Sequence, residues 1–89
     1  SFIYIANKTD GISVFTYAKE DASLGKNSSL SITDVSIDDL SFYKDNLLYA
    51  LGNSNQSSKN GLYLFNVSDR NITEEKFLEI NVKLNRLLV

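Results

Sequence analysis

The stretch "DVSIDDLSFYKDNLLYALGNSNQSSKNGLYLFNVSD", residues 34–69, carries the strongest structural pattern of this chain. Apolar and polar residues alternate in residues 39–43, and residues 47–52 and 61–68 are mainly apolar runs of strand length. Both patterns are typical of strands that are buried on one or both faces. The last two of these runs are separated by the polar loop "GNSNQSSKN", residues 52–60. The stretch therefore predicts three consecutive strands, of which the last two are joined by a long loop.

The alternation continues on both sides of this stretch. Asp10-Gly11 lies between two runs rich in β-branched and aromatic residues, and glycine supplies the positive φ angle that a hairpin turn needs. The alternation changes phase near Asp34, which indicates a β-bulge. Residues 71–80 are also compatible with a short helix capped by Thr73. The other predicted strands are residues 2–7, 11–18, 29–37, 76–83 and 84–89, with a link at residues 69–75.

The two halves of the chain match each other strand by strand. Tyr4 corresponds to Tyr49 at a spacing of 45, and Gly11 corresponds to Gly61 at a spacing of 50. Further matches are Phe15 with Phe65, "LSI" at 30–32 with "LEI" at 78–80, and Ile37, Leu40 and Phe42 with Leu84, Leu87 and Val89. Because the length differences fall in loops, the matches predict a repeat of about 47 residues and four strands.

The runs "IYIAN", "ISVF" and "LYLFNVSD" resemble the strands of β-propellers of the YVTN, lactonase-like and LVIVD repeat groups. The resemblance covers nearly the whole chain and implies an all-β fold, a fragment of a propeller with four-stranded antiparallel blades. With strands lettered A to D from the axis outwards, residues 1–37 would be strands B to D of one blade. Residues 38–83 would be a complete blade, and residues 84–89 the first strand of the next. We expect one propeller domain that continues beyond both ends, because an unfinished blade leaves apolar faces open.

The composition excludes several classes of site and partner. The 89 residues include no cysteine and no histidine, so disulfides, thiolate metal sites and histidine acid–base catalysis are excluded within this chain. A net charge of −2 with scattered basic residues gives no footprint for nucleic acid. No apolar run is long enough for a membrane span. We therefore expect no cofactor, no nucleic-acid partner and no membrane span in this segment.

The polar loops suggest where a binding surface would lie. In a propeller, the D-to-A links and the B–C loops emerge at the same end, so their side chains share one face, here called the loop face. Carboxylates there could form an acid–base pair or hold a divalent ion, but aspartates in tight links also accept backbone hydrogen bonds. No calcium-loop motif is present, so we assign no catalytic residue and no metal ligand. The binding candidates are Asp10, Asp34, Asp38, Asp39, Asn53, Asn55, Gln56 and Lys59.

Five Asn-X-Ser/Thr sequons occur in the chain. Asn27, Asn55 and Asn71 lie in predicted loops and are the candidate glycosylation sites. They would carry glycans if the protein enters a secretory pathway, and they would be idle in the cytoplasm. The sequence leaves both locations open.

The predicted function is a non-enzymatic binding or scaffolding module within a larger β-propeller. Its partner would be a protein or a glycan that meets the loop face, in addition to the remainder of its own propeller. One alternative is a lactonase-like hydrolase with an active site at the central funnel. Another is an architectural component of a large assembly. The fold alone does not choose among these functions, since propellers serve all of them.

Overall fold

The computed structural model describes residues 2–68 and 71–87. This part of the chain is all-β, as predicted, with seven strands and one turn of 3₁₀ helix and no α-helix. The strands are β1 (Phe2–Ala6), β2 (Ile12–Ala18), β3 (Ser23–Leu30), β4 (Ser36–Lys44), β5 (Leu47–Asn53), β6 (Gly61–Ser68) and β7 (Asn71–Glu79), with the 3₁₀ turn at Ser57–Lys59.

The strands form two antiparallel sheets in sequence order. The first sheet is β1-β2-β3 and the second is β4-β5-β6-β7, so each strand pairs with the strand that follows it. The sheets are connected by residues 31–35 and touch through a backbone bridge between Lys8 and Ile37. Short turns favour this meander, because antiparallel neighbours need only a few residues to connect.

The core lies between the two sheets. The first sheet contributes Ile12, and the link and the start of β4 contribute Val35 and Ile37. The second sheet contributes Leu48, Ala50, Tyr63, Phe65 and Val67. Residues two apart in a strand point to the same side, so the alternation seen in the sequence places this set on one face of the second sheet. The Tyr63 and Phe77 rings, with centroids 4.5 Å apart, extend the packing to β7.

Two outer strands begin earlier than the sequence pattern indicated. Residues 29–37 were expected as one strand, but β3 ends at Leu30 and a turn follows, closed by a 3.1 Å hydrogen bond from Val35 N to the Ile32 carbonyl. Asp34 has a positive φ of 65° in this turn, so the predicted bulge there is wrong. Val35 and Ile37 alternate because both are buried in the core, not because they extend β3.

The last part of the chain differs from the prediction in the same way. Strand β7 spans Asn71–Glu79, so the predicted link at 69–75 is wrong for residues 71–75, and the helical alternative for 71–80 is also wrong. The predicted strand at 76–83 ends at Glu79, and residues 84–87 of the predicted strand 84–89 are not in a strand. Residues 88 and 89 lie outside the described residues.

The residues that match in sequence occupy matching positions in the two sheets. Tyr4 lies opposite Val14 as Tyr49 lies opposite Leu64, and Ile12 lies opposite Leu30 as Leu62 lies opposite Leu78. Each sheet also has a register shift at the same place, between Val14 and Phe15 in the first and between Leu64 and Phe65 in the second. The pairing of β1-β2-β3 therefore follows the same pattern as that of β5-β6-β7.

Two glycines at matching positions explain part of this similarity. A β-carbon on Gly11 would lie 1.9 Å from the Leu30 carbonyl oxygen, and one on Gly61 would lie 2.0 Å from that of Leu78. Gly11 also has a φ of +82°, which side chains disfavour. In each sheet a glycine thus lets the last strand, β3 or β7, approach the start of the neighbouring strand, β2 or β6, closely.

Candidate functional site

A polar groove of about 1040 Å³ lies at the end of the sheets where the β1–β2 turn, the 31–35 link and the loop after β5 meet. The start of β4, the end of β5 and residues 80–83 after β7 complete its walls. Among the predicted binding residues, five line this groove, namely Asp34, Asp38, Asn53, Asn55 and Gln56. The structure therefore brings these five together at one end of the sheets. Asp38 and Asn53 lie in the strands β4 and β5, however, and not in the link and the loop where the sequence pattern placed them.

The other three candidates lie outside the groove lining. Lys59 is at the same end, where its ammonium group donates a 3.0 Å hydrogen bond to the Thr33 carbonyl. Asp10 is exposed in the turn between β1 and β2. Asp39 accepts a 2.7 Å hydrogen bond from Leu87 N, whereas its neighbour Asp38 lines the groove. The two adjacent aspartates therefore bind different partners, although the register shift between Ile37 and Asp39 interrupts the regular alternation of side chains at Asp38.

Asp38 is the carboxylate at the centre of the groove wall. It accepts hydrogen bonds from Ser36 Oγ at 2.7 Å and from Asn53 Nδ2 at 2.5 Å, and its Oδ1 lies 3.3 Å from Lys8 Nζ. Burial works to raise the pKa of Asp38, but the donors from Asn53, Ser36 and Lys8 outweigh it and hold the pKa below its ordinary value. Asp38 is therefore ionised at neutral pH and unsuited to act as a general acid.

Asn53 connects β5 to the segment that follows β7. Its side-chain oxygen accepts a 2.8 Å hydrogen bond from Leu84 N, and its side-chain nitrogen donates a 2.7 Å hydrogen bond to the Leu84 carbonyl. Lys8 and Ile37 make the corresponding pair of bonds through their main chains, at 3.0 and 2.9 Å. Lys8 matches Asn53 at a spacing of 45, and Ile37 matches Leu84 at 47. The Asn53 carboxamide thus takes the place of a main-chain peptide group.

Asn60 fixes the other half of this segment. Its side-chain oxygen accepts a 2.8 Å hydrogen bond from Ser54 N, and its side-chain nitrogen donates to the Ile80 and Val82 carbonyls at 2.7 and 2.9 Å. In the sequence Asn60 is marked only as the residue that precedes Gly61. One feature of the sequence pointed to its role: it is an asparagine at the end of a long loop. A carboxamide there can donate and accept hydrogen bonds at once and so can bind the main chain of another segment.

The long loop is ordered by its own hydrogen bonds. Gln56 N donates to Ser54 Oγ at 3.0 Å, and the Tyr63 hydroxyl donates to the Lys59 carbonyl at 2.6 Å. Across the groove, Gln56 Nε2 donates to Asp34 Oδ2 at 2.7 Å. Asn55 is exposed beside this contact. Asp34, Asn55 and Gln56, here called the groove rim, therefore present carboxylate and amide groups, of which those of Asp34 and Gln56 are held together by this hydrogen bond.

The glycosylation candidates lie in different settings. Asn55 is exposed in the loop, as predicted. Asn71 is exposed but is the first residue of β7, and Asn27 lies within β3, so the prediction that these two lie in loops is wrong. The reason is that β3 and β7 begin before the positions that the alternation indicated.

Two negative findings apply to residues 2–68 and 71–87. No three aspartate or glutamate side chains there are grouped closely enough to hold a metal ion. None of the described secondary structure is a helix with the length and apolar character needed to cross a membrane.

Comparison of the chain with protein-family models, with curated proteins and with solved structures gave no match.

Proposed function

We propose that this chain is part of a β-propeller and serves as a non-enzymatic binding or scaffolding module, whose loop face meets a protein or glycan partner. Two observations support the propeller proposal. The pairing of β1-β2-β3 follows the same pattern as that of β5-β6-β7, and the two sheets pack face to face. The proposal is further supported by the Asn53–Leu84 contact, which repeats the Lys8–Ile37 bridge one unit later. Four-stranded meanders packed in this way are the building units of propellers.

The binding proposal depends on one observation, the groove rim. Asp34, Asn55 and Gln56 have carboxylate and amide groups at the edge of a groove whose walls are already tied together by Asn53 and Asn60. A rigid frame with polar groups at its rim favours recognition, because little conformational entropy is lost when a ligand binds. Hydroxyl-rich glycans and peptide main chains both offer the donors and acceptors that such groups bind.

The same geometry weighs against the hydrolase alternative. A hydrolytic site needs a proton donor or an activated nucleophile facing the substrate. Asp38, the central carboxylate of the groove, accepts hydrogen bonds from Asn53 and Ser36 and pairs with Lys8. These contacts keep it ionised and occupied, which fits a structural role in the groove wall.

Arrays of defined glycans and of peptides, probed with the labelled chain, test the binding proposal. We expect at least one ligand whose signal is lost in the double variant Asn55→Ala/Gln56→Ala. The matched control is Lys19→Ala/Glu20→Ala, in an exposed turn at the opposite end of the first sheet, and it should bind as the wild type does. Equal binding by the two double variants, or no bound ligand on either array, would contradict the proposal.

A further inference from the structure

The first sheet has an apolar face that points away from the second sheet. Ile3 lies opposite Phe15, and Tyr17 lies opposite Leu24, so these side chains share one face with Ile5. Ile5 is 44% exposed and Leu24 is 63% exposed. We call this set, Ile3, Ile5, Phe15, Tyr17 and Leu24, the outer face of the first sheet. A cluster of large apolar side chains of this kind marks an interaction surface.

The residues of this outer face match, in the repeat, the residues of the second sheet that pack in the core. Ile3 and Ile5 match Leu48 and Ala50 at a spacing of 45, and Phe15 matches Phe65 at 50. In the second sheet, Leu48, Ala50 and Phe65 are at most 1% exposed, because the first sheet covers them. The molecule therefore shows what fits such a face, namely the inner face of a sheet like β1-β2-β3.

The second sheet offers that complementary surface on its far side. Tyr4, Ala6, Ile12 and Val14 of the first sheet's inner face match Tyr49, Leu51, Leu62 and Leu64. Cross-strand pairing places these four on one side, with Tyr49 opposite Leu64 and Leu51 opposite Leu62. Leu51 is already buried, at 3% exposed, whereas the other three are half-buried. We call Tyr49, Leu62 and Leu64 the outer face of the second sheet. One molecule thus has both halves of an interface that it already makes once internally.

The edges of the sheets are also compatible with packing of the second sheet of one copy on the first sheet of another. In the described part of the chain the first sheet has three strands, and β1 lies at its edge, whereas the matching strand β5 is flanked by β4. Residues 84–87 match the start of β4 and are held beside the second sheet by Asn53 and Asp39. In the second sheet Leu40 lies opposite Ala50, and by the same spacings Leu87 would lie opposite Ile5 of another first sheet. An open edge strand readily accepts such a partner.

We propose that this chain associates head to tail with a second copy of itself. The outer face of the second sheet of one copy packs on the outer face of the first sheet of the next, and residues 84–87 pair with β1 of that copy. The two faces differ, so the contact is heterologous and continues into a ring or a row of copies. The proposal rests on the repeating sheets proposed above and not on ligand binding at the groove rim, so the array experiment and the following one can fail separately.

Complementation between two variants tests the proposal. Light scattering coupled to size-exclusion chromatography should give a mass for the wild type that rises with concentration above the 10.0 kDa of one chain. Ile5→Lys blocks one face and Leu64→Lys the other, so each variant alone should be monomeric. Mixed, they should form a 1:1 pair, because each retains the face that the other lacks. Val82→Lys, another exposed apolar position, is the matched control and should associate as the wild type does.

Three results would overturn the proposal. These are a wild type that stays monomeric at all concentrations, variants that still associate alone, and a mixture that stays monomeric. A mixture that stays monomeric would indicate a symmetric interface. A wild type that stays monomeric would indicate that another sheet of a longer chain covers these faces. Circular dichroism checks that the variants fold, and Ile3→Lys with Tyr49→Lys replaces any variant that does not.

Disulfide formation between copies tests the strand pairing, because the chain has no cysteine of its own. Copies with Leu87→Cys should form a disulfide with copies carrying Ile5→Cys in preference to copies carrying Ile3→Cys.

Discussion

At the scale of single residues, side-chain amides connect the end of the molecule that forms the groove. Asn53 is 8% exposed and uses a donor and an acceptor to bind the main chain of Leu84. Asn60 is 7% exposed, donates to two carbonyls of residues 80–82, and accepts from Ser54 N. Asparagine fits this role because its carboxamide has the same two functions as a peptide group. Neither a carboxylate nor an aliphatic side chain of similar size could make both kinds of bond.

Asn53→Asp should therefore destabilise the protein by about 2–4 kcal/mol. The substitution removes the donor to the Leu84 carbonyl and brings a second carboxylate to Asp38, whose Oδ2 accepts from Asn53 in the native protein. Urea unfolding measures the loss. Asn55→Asp is the matched control, and at its exposed position the change should stay within about 0.5 kcal/mol. Equal stabilities of the two variants would show that the amide bridge contributes little.

The charge of Asp38 should make stability depend on pH. Its pKa is lowered in the folded protein, so folding favours the ionised form. This stabilisation is complete above the pKa of the unfolded chain, about 3.9, and is lost as the pH falls through the lower folded value. We expect Asp38→Asn to be less stable than the wild type at pH 7, with the difference narrowing in acid.

Unfolding free energies at pH 7 and at pH 3 check this expectation. Ser36→Ala, which removes one donor to the same carboxylate, should show a smaller loss with the same direction of pH dependence. An Asp38→Asn deficit that is as large at pH 3 as at pH 7 would contradict the assignment.

At the scale of strands, the sequence pattern predicted the bounds of five strands better than those of β3 and β7. Strand β6 has the predicted bounds, and β1, β2, β4 and β5 differ from theirs by at most three residues at either end. These strands have one face in the core, so their apolar residues alternate. Strands β3 and β7 lie at sheet edges, and their many exposed residues give no such alternation. The bounds of β3 and β7 are set by backbone pairing with β2 and β6, and no local sequence pattern predicts this pairing.

The candidate site was likewise predictable only in part. The propeller resemblance predicted that eight residues share one end of the sheets. Five of them, Asp34, Asp38, Asn53, Asn55 and Gln56, line the groove, whereas Asp10, Asp39 and Lys59 do not. The roles of Asn53 and Asn60 depend on which main-chain groups approach them from residues 80–84. That approach is set by the path of the chain after β7, so it could not be predicted from spacing.

Gly61→Ala tests the close pairing of β6 with β7. The new β-carbon would meet the Leu78 carbonyl oxygen at 2.0 Å, so the backbone of one strand must move and hydrogen bonds of the ladder must lengthen. We expect a loss of about 3 kcal/mol, measured by chemical denaturation. Gly25→Ala, in β3, is the matched control because no atom lies within 4 Å of its new β-carbon. Similar stabilities of both variants would contradict the close approach.

At the scale of the whole molecule, the chain consists of two sheets built to one pattern. Strand pairing, register shifts and close-packed glycines recur at spacings of 45 to 50 residues. The link after β3 leads to Ile37 beside Lys8, and the segment after β7 leads to Leu84 beside Asn53. This recurrence supports the propeller proposal and the proposed contact between the two outer faces.

Amide hydrogen exchange at Ile37 and Leu84 tests the equivalence of the two sheets most directly. Both amides donate hydrogen bonds at matching positions, Ile37 to the Lys8 carbonyl and Leu84 to Asn53 Oδ1. We predict that both are protected from exchange, and that Asn53→Ala removes the protection of Leu84 while leaving that of Ile37 intact. If Leu84 exchanges freely in the wild type, or is unaffected by Asn53→Ala, the segment after β7 does not repeat the first link and the equivalence fails.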